Sequence, residues 1–212
     1  MNLKLQHADL SRYLEPCEII DFADSREILG LAQDLATHAK DDVAFIKAAY
    51  EYVRDRIHHS ADIQGEVVTC KASDVLREGQ GICYAKAHLL AAILRANRIP
   101  AGLCYQKLVL NDCSAPYLTL HGLNAVYIES MQKWIRLDAR GNKPGVDAQF
   151  SLEAEQLAFP VRAEMGETDI PIIFAKPVDS VVDALSRCKT LDQLWDNLPT
   201  RIFSRNTERL QP

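Results

Sequence analysis

A 212-residue chain that is 48% hydrophobic and 25% charged, with a formal charge of −5, has the make-up of one packed globular domain. Its mild acidity and the lack of a long Lys/Arg run argue against nucleic acid or an anionic membrane surface as partner. No apolar run reaches the roughly 18 residues of a membrane span. The N-terminal stretch MNLKLQHADLSRYLEP holds no apolar segment of signal-peptide type, so a cytoplasmic location is expected.

Residues 3–22 read as extended or irregular, punctuated by Pro16. Asp24 or Ser25 can cap a helix reaching about His38, with Ile28, Leu31, Leu35 and Ala36 on one face. Asp41 or Asp42 can cap a second. Its apolar residues Val43, Ile46, Tyr50, Val53 and Ile57 recur at helical steps. His58 and His59 then read as helix-end histidines near a favourable dipole. Adjacent helical side chains point about 100° apart, so even with Asp62 nearby the pair is poorly arranged to chelate, and no metal site is expected. Residues 60–70 read as loop. Ser73 is a good cap for a short helix over 74–77, which Gly79 and Gly81 end.

A helix opens at Cys83 and carries Ala87, Leu90, Ala91, Leu94 and Ala96, an alanine content that suits burial on most sides. Asn97 and Pro100 end it. Residues 101–110 read as a strand, and 111–120, with Asn111, Asp112, Ser114 and Pro116, as a loop. In 121–129, Leu123, Ala125 and Tyr127 alternate with Val126 and Ile128, the pattern of a strand covered on both sides. Ser130, Met131 and Gln132 turn the chain, and 133–138 returns as a strand. Gly141, Pro144 and Gly145 open a loop. A strand follows near 170–174, and peripheral helices over 178–188 and 191–198. Helices first and antiparallel strands after them make an α+β domain spanning 1–212.

The six cysteines, Cys17, Cys70, Cys83, Cys104, Cys113 and Cys188, form no C-x-x-C pair and no zinc-finger spacing. Most read as reduced, buried thiols. Cys83 differs, because it sits where a glycine-rich loop, GQGIC, runs into a helix. A thiol there faces unpaired N–H groups and the positive end of the helix dipole, which favour thiolate. Downstream, His121 and Asp138 fall at the edges of predicted strands. Cysteine, histidine and acid are the inventory for thiol acyl transfer. Taken singly, each has a plainer reading: a buried thiol, a strand-end histidine, a turn carboxylate. His88 projects from another side of the Cys83 helix and reads as structural, and Tyr127 and Trp134 read as core aromatics.

The run Gly81-Ile82-Cys83, an Ala/Leu-rich helix, then Arg95, Ile99, Pro100, Ala101 and Gly102 entering a strand resembles the transglutaminase-core, or transglutaminase-like, superfamily. His121 opening a strand, and Trp134 to Asp138 as W-x-x-x-D after a hairpin, extend the resemblance over about 25–142, leaving 143–212 as an extension. The resemblance implies a papain-like core, with the catalytic helix packed on an antiparallel sheet. It also implies a Cys83–His121–Asp138 triad acting on a peptide or protein amide without cofactor, as peptidase, amidase or acyltransferase. The Cys83 backbone N–H would be one oxyanion donor, and the Gln80 side chain is a candidate second. Two departures stand out: Gly122-Leu123 where the family commonly has Ala-Trp, and Ala139 where proline commonly follows the acid. They motivate an alternative, a non-catalytic peptide- or protein-binding module on the same fold. A third reading, a thiol redox sensor, needs Cys104 or Cys113 as resolving partner. Oligomeric state is not legible.

Overall fold

The computed structural model describes residues 2–110 and 117–203; the loop signals at 111–116, and Cys113 with them, lie outside the described residues. Helix α1 spans Arg26–Thr37 and α2 Asp42–Arg56. Their caps are those the sequence offers. Ser25 Oγ accepts from the Ile28 amide at 3.2 Å, and Asp41 Oδ1 from the Ala44 amide at 2.7 Å. The buried stripe of α2 is wider than expected, because Phe45 and Ala49 join Ile46, Tyr50 and Val53. Helix α3, Ala72–Glu78, begins before its expected cap. Ser73 lies inside it, and Asp21 does the capping from 52 residues upstream, taking the Ser73 amide at 3.0 Å and its hydroxyl at 2.5 Å. Gly79 ends the helix at φ +63°, a conformation that costs glycine least.

Helix α4, Cys83–Ala96, is buried from Tyr84 to Arg95. It forms the centre of the molecule, with α1, α2 and α3 on one side and the sheet on the other. The sheet is built from β1 (Lys4–Leu5), β4 (Ala101–Leu110), β5 (Tyr117–Ile128), β6 (Lys133–Leu137) and β7 (Thr168–Phe174), in the order β1-β7-β4-β5-β6. Its four longer strands are antiparallel, whereas β1 joins β7 in parallel, so the sheet is mixed. Residues 117–120, expected as loop, belong to β5, where Leu110 pairs with Tyr117. His121 therefore sits within a strand and not at its head. In β5, Leu120, Val126 and Ile128 join the main core with α4, and Leu123 and Ala125 join a second cluster with Tyr13 and Cys104. That is the two-sided cover its alternation predicts.

His58 and His59 are not helical. Ile57 turns extended, and the two histidines form β2 (His58–His59), paired in parallel with β3 (Gln80–Gly81). This short ladder lays the loop after His59 beside the start of α4. Helices α5 (Asp179–Arg187) and α6 (Leu191–Trp195) pack Val181, Ala184, Leu185, Leu191 and Leu194 into the main core. Among the described residues no helix is long and apolar enough to cross a membrane.

The other end of α4 is held by Arg95, whose guanidinium is buried. It donates to Ala101 O at 3.0 and 2.6 Å, to Ala175 O at 2.7 Å and to Glu15 O at 2.7 Å. One side chain thus joins the N-terminal segment, β4 and the end of β7. Burial lowers its pKa to about 10, so it stays charged at neutral pH. Arg95→Met strands three carbonyls, and urea unfolding is expected to show a loss of about 3 kcal/mol or more. Arg95→Lys is expected to recover only part, since one ammonium cannot span all three acceptors.

Candidate active site

Cys83 is the first residue of α4. Ile82 before it is extended and its side chain offers no cap, so no side chain takes up the amides of the first turn. Cys83 is half-buried and lines a cavity of about 530 Å³. Three contacts pin this turn to β5. Tyr84 Oη donates to Leu120 O, and Asn124 Nδ2 donates to Ala87 O at 2.9 Å. Gly122 lies flat on the helix: a Cβ there would meet Tyr84 Cδ1 at 2.7 Å and Tyr84 Cα at 3.2 Å. The residue after His121 is glycine because the helix occupies the space an alanine methyl would need.

His121 and Asp138 come together from neighbouring strands. His121 is 6% exposed and Asp138 1%, and His121 Nε2 lies 2.8 Å from Asp138 Oδ2. Asp138 also accepts the Ala158 amide at 3.0 Å on Oδ2 and the Arg140 amide at 3.1 Å on Oδ1. Burial alone would raise the Asp138 pKa, but His121 and these donors hold it below the usual carboxylate value. Burial likewise disfavours a charged His121. The attraction of Asp138 and of the Cys83 sulfur outweighs that, and its pKa rises to about 10. With Nε2 committed to Asp138, Nδ1 is the ring nitrogen left for Cys83. Because the folded value exceeds the unfolded 6.5, the stabilisation from this pair is complete below about pH 6.5. It is lost as pH climbs through about 10.

The cavity has two kinds of wall. Leu120, Phe159, Trp195 and Leu198 make one apolar. Phe159 meets the imidazole edge-on, 5.1 Å between ring centres at 85°. An aromatic does stand beside His121, delivered from the extension and not from position 123. Across from it, Asp62 accepts both terminal nitrogens of Arg140, at 2.8 Å for Nη2, and Lys143 Nζ at 2.9 Å, which ties the loop after β2 to the loop after Asp138. His59 also lines the cavity. Gln80 is not among the lining residues. Its Oε1 is buried without a hydrogen-bond partner, close against Gly65. Cys104 is buried in the second cluster, where burial pushes its thiol up to about 12. His88 is buried on the far side of α4, bonded to Cys70 O at 2.8 Å.

Sequence reasoning missed three residues here. Phe159 carried no local signal, and His59 reads from sequence as a helix-end histidine. Lys86 did carry one, as a cation in the first turn of an Ala/Leu helix. It is fully buried, donates to Ile57 O and to Arg54 O at 3.3 Å, and burial pulls its pKa to about 7.

The transglutaminase-like superfamily model matches residues 30–139. The match takes in Cys83, His121 and Asp138, and the chain belongs to that superfamily. Among solved structures, a candidate cysteine protease from Cytophaga hutchinsonii is similar at 21% identity, over 63% of this chain and 43% of that one, with a TM-score of 0.50. The ethylmercury-bound periplasmic domain of TgpA from Pseudomonas aeruginosa is similar at 19% identity, over 61% and 48%, with a TM-score of 0.46. This chain spans less than half the length of either, and likeness at such identity speaks to the fold. None of the curated proteins compared matches.

Histidine NMR is expected to show His121 as an imidazolium through neutral pH with a midpoint near 10, while His59 and His88, lowered by burial to about 3 and about 4, stay neutral in mildly acidic buffer. Asp138→Asn should move the His121 midpoint down; an unmoved midpoint would show that the carboxylate does not hold the charge. Gly122→Ala, which restores the common family residue, is expected to destabilise this protein by about 1–3 kcal/mol through overpacking against Tyr84, measured by thermal unfolding.

Proposed function

We propose that this member of the transglutaminase-like superfamily is a cysteine-dependent hydrolase or acyltransferase, cleaving peptide or protein amides through a thioester on Cys83. The observation that carries this reading is the buried His121–Asp138 pair, 2.8 Å apart, set beside a cysteine at an uncapped helix start. Hydrolysis is favoured over transfer to an amine on family resemblance, and a reducing, cytoplasmic setting fits the five free thiols among the described residues.

The chemistry uses groups of this chain and water. The Cys83 thiolate adds to the amide carbonyl, forming a C–S bond while the π pair moves onto oxygen. The amide of Cys83, at the positive end of α4, points a donor at that oxygen. The His121 imidazolium gives its proton to the amine nitrogen as the C–N bond breaks, leaving a thioester. Water then attacks the thioester and passes a proton to His121. The C–S bond breaks, releasing acid and regenerating thiolate and imidazolium. Asp138 keeps the ring oriented and stabilises its charged form throughout. The wall of Leu120, Phe159, Trp195 and Leu198 suits an apolar group on the acyl side.

The test is mass spectrometry after incubation with activated esters and peptide amides. An acyl adduct is expected on Cys83 alone, and none in Cys83→Ala. His121→Ala should slow acylation about 10²–10⁴-fold. Turnover that persists in Cys83→Ala, or a wild-type Cys83 that neither acylates nor alkylates faster than the other thiols, would overturn the proposal.

A further inference from the structure

The reaction above needs a second donor for the carbonyl oxygen, and Gln80 is not among the residues that line the cavity. We propose that His59, through Nε2–H, donates the second hydrogen bond to the oxyanion formed when Cys83 adds to a carbonyl. This inference rests on the proposed thiol chemistry and adds a catalytic residue to it.

Position comes first. β2 and β3 run side by side, with His59 opposite Gly81 and the Ser60 amide bonded to Gly81 O at 3.2 Å. Cys83 follows Gly81 by two residues, so the strand carrying His59 ends beside the first turn of α4. His59, Cys83 and His121 line the same cavity.

Hydrogen bonding then sets the tautomer. His59 is 9% exposed, and its Nδ1 is sealed from solvent with no hydrogen-bond partner; its Nε2 is not so sealed. A neutral imidazole carries one proton. Placing it on Nδ1 would bury an unpaired N–H, the rarer and costlier kind of orphan. Placing it on Nε2 leaves only a bare lone pair inside and an N–H on the ring edge available to the cavity.

Charge state completes the argument. Burial, and then Arg140, Lys86 and His121, disfavour a second proton on this ring. Asp62 pulls the other way without prevailing, and the pKa falls to about 3. His59 therefore stays neutral at working pH. It can donate a hydrogen bond to a developing O⁻, but it neither gives up a proton nor adds a second cation beside the Cys83–His121 pair. No bond to His59 forms or breaks in the step.

Two reagents separate this role from a structural one. A peptide aldehyde adds to Cys83 reversibly, forming a C–S bond and placing the π pair on oxygen, as the substrate does. Iodoacetamide alkylates the sulfur with loss of iodide and creates no oxyanion. In His59→Ala, aldehyde affinity and kcat are expected to fall about 10²–10³-fold, with KM and the Cys83 alkylation rate unchanged. His59→Gln, which keeps an N–H donor, should recover part of both losses. Equal aldehyde affinity in wild type and His59→Ala, with alkylation intact, overturns the assignment. So does a parallel fall of affinity and alkylation in both variants, which would mark a structural residue. A wild type with no aldehyde adduct and no fast alkylation at Cys83 overturns instead the thiol chemistry on which the assignment rests.

Discussion

The contact between the first turn of α4 and β5 is the constraint on which the site depends. A helix and a strand ordinarily meet through interposed side chains. Here Gly122 removes the side chain, and the backbone of Tyr84 comes within van der Waals reach of the strand. Tyr84 and Asn124 then fix the two elements along their length, bonding to Leu120 O and Ala87 O. Cys83 and His121 become neighbours as a result, although 38 positions separate them in the chain. The buried cations of α4 fit the same scheme. Lys86 holds carbonyls at the end of α2, and Arg95 holds carbonyls of Glu15, β4 and β7. A helix whose apolar surface could slide in a uniform core is held in one axial position by polar anchors near both ends.

That geometry also accounts for the glycine in the first departure from the superfamily pattern. Gly122 is what the close approach demands. Position 123 holds Leu123, which packs in the second cluster, and the aromatic beside the imidazole is Phe159, edge-on to it. Of the residues that motivated a non-catalytic reading, Gly122 thus has a packing explanation. For Ala139, in place of the common proline, the structure offers none.

The elements legible in the sequence were those with local causes. Ser25 and Asp41 cap helices through their own side chains, Gly79 ends one through φ, and the alternation in β5 reports two covered faces. Cys83 stood out because a glycine-rich loop meets a helix there, and His121 and Asp138 through the superfamily pattern, although His121 lies inside β5 and not at its edge. What failed to show was set by distant partners. The α3 cap comes from Asp21, residues 117–120 are drawn into β5 by pairing with β4 and by Pro199 O, which accepts the Leu120 amide at 2.8 Å, and His58–His59 are strand because β3 lies beside them. Phe159 and His59 reach the site only through folding: no period or motif marks Phe159, and the His58-His59 pair reads as a helix end until β3 is seen beside it.

Asp138 sits one residue inside the boundary of the superfamily match, yet it takes a hydrogen bond from Ala158, nineteen residues beyond that boundary. The unit recognised by sequence and the unit that holds the carboxylate in place are therefore different. A graft of residues 30–139 onto another scaffold would carry Cys83, His121 and Asp138 but would lose both backbone donors to the acid, the Arg140 amide on Oδ1 and the Ala158 amide on Oδ2, leaving His121 to bond Oδ2 alone. It would also leave the imidazole without its aromatic neighbour. In this chain the extension supports the candidate site, and a swap of modules would have to keep Phe159, β7 and the cavity wall of Trp195 and Leu198 together with residues 30–139.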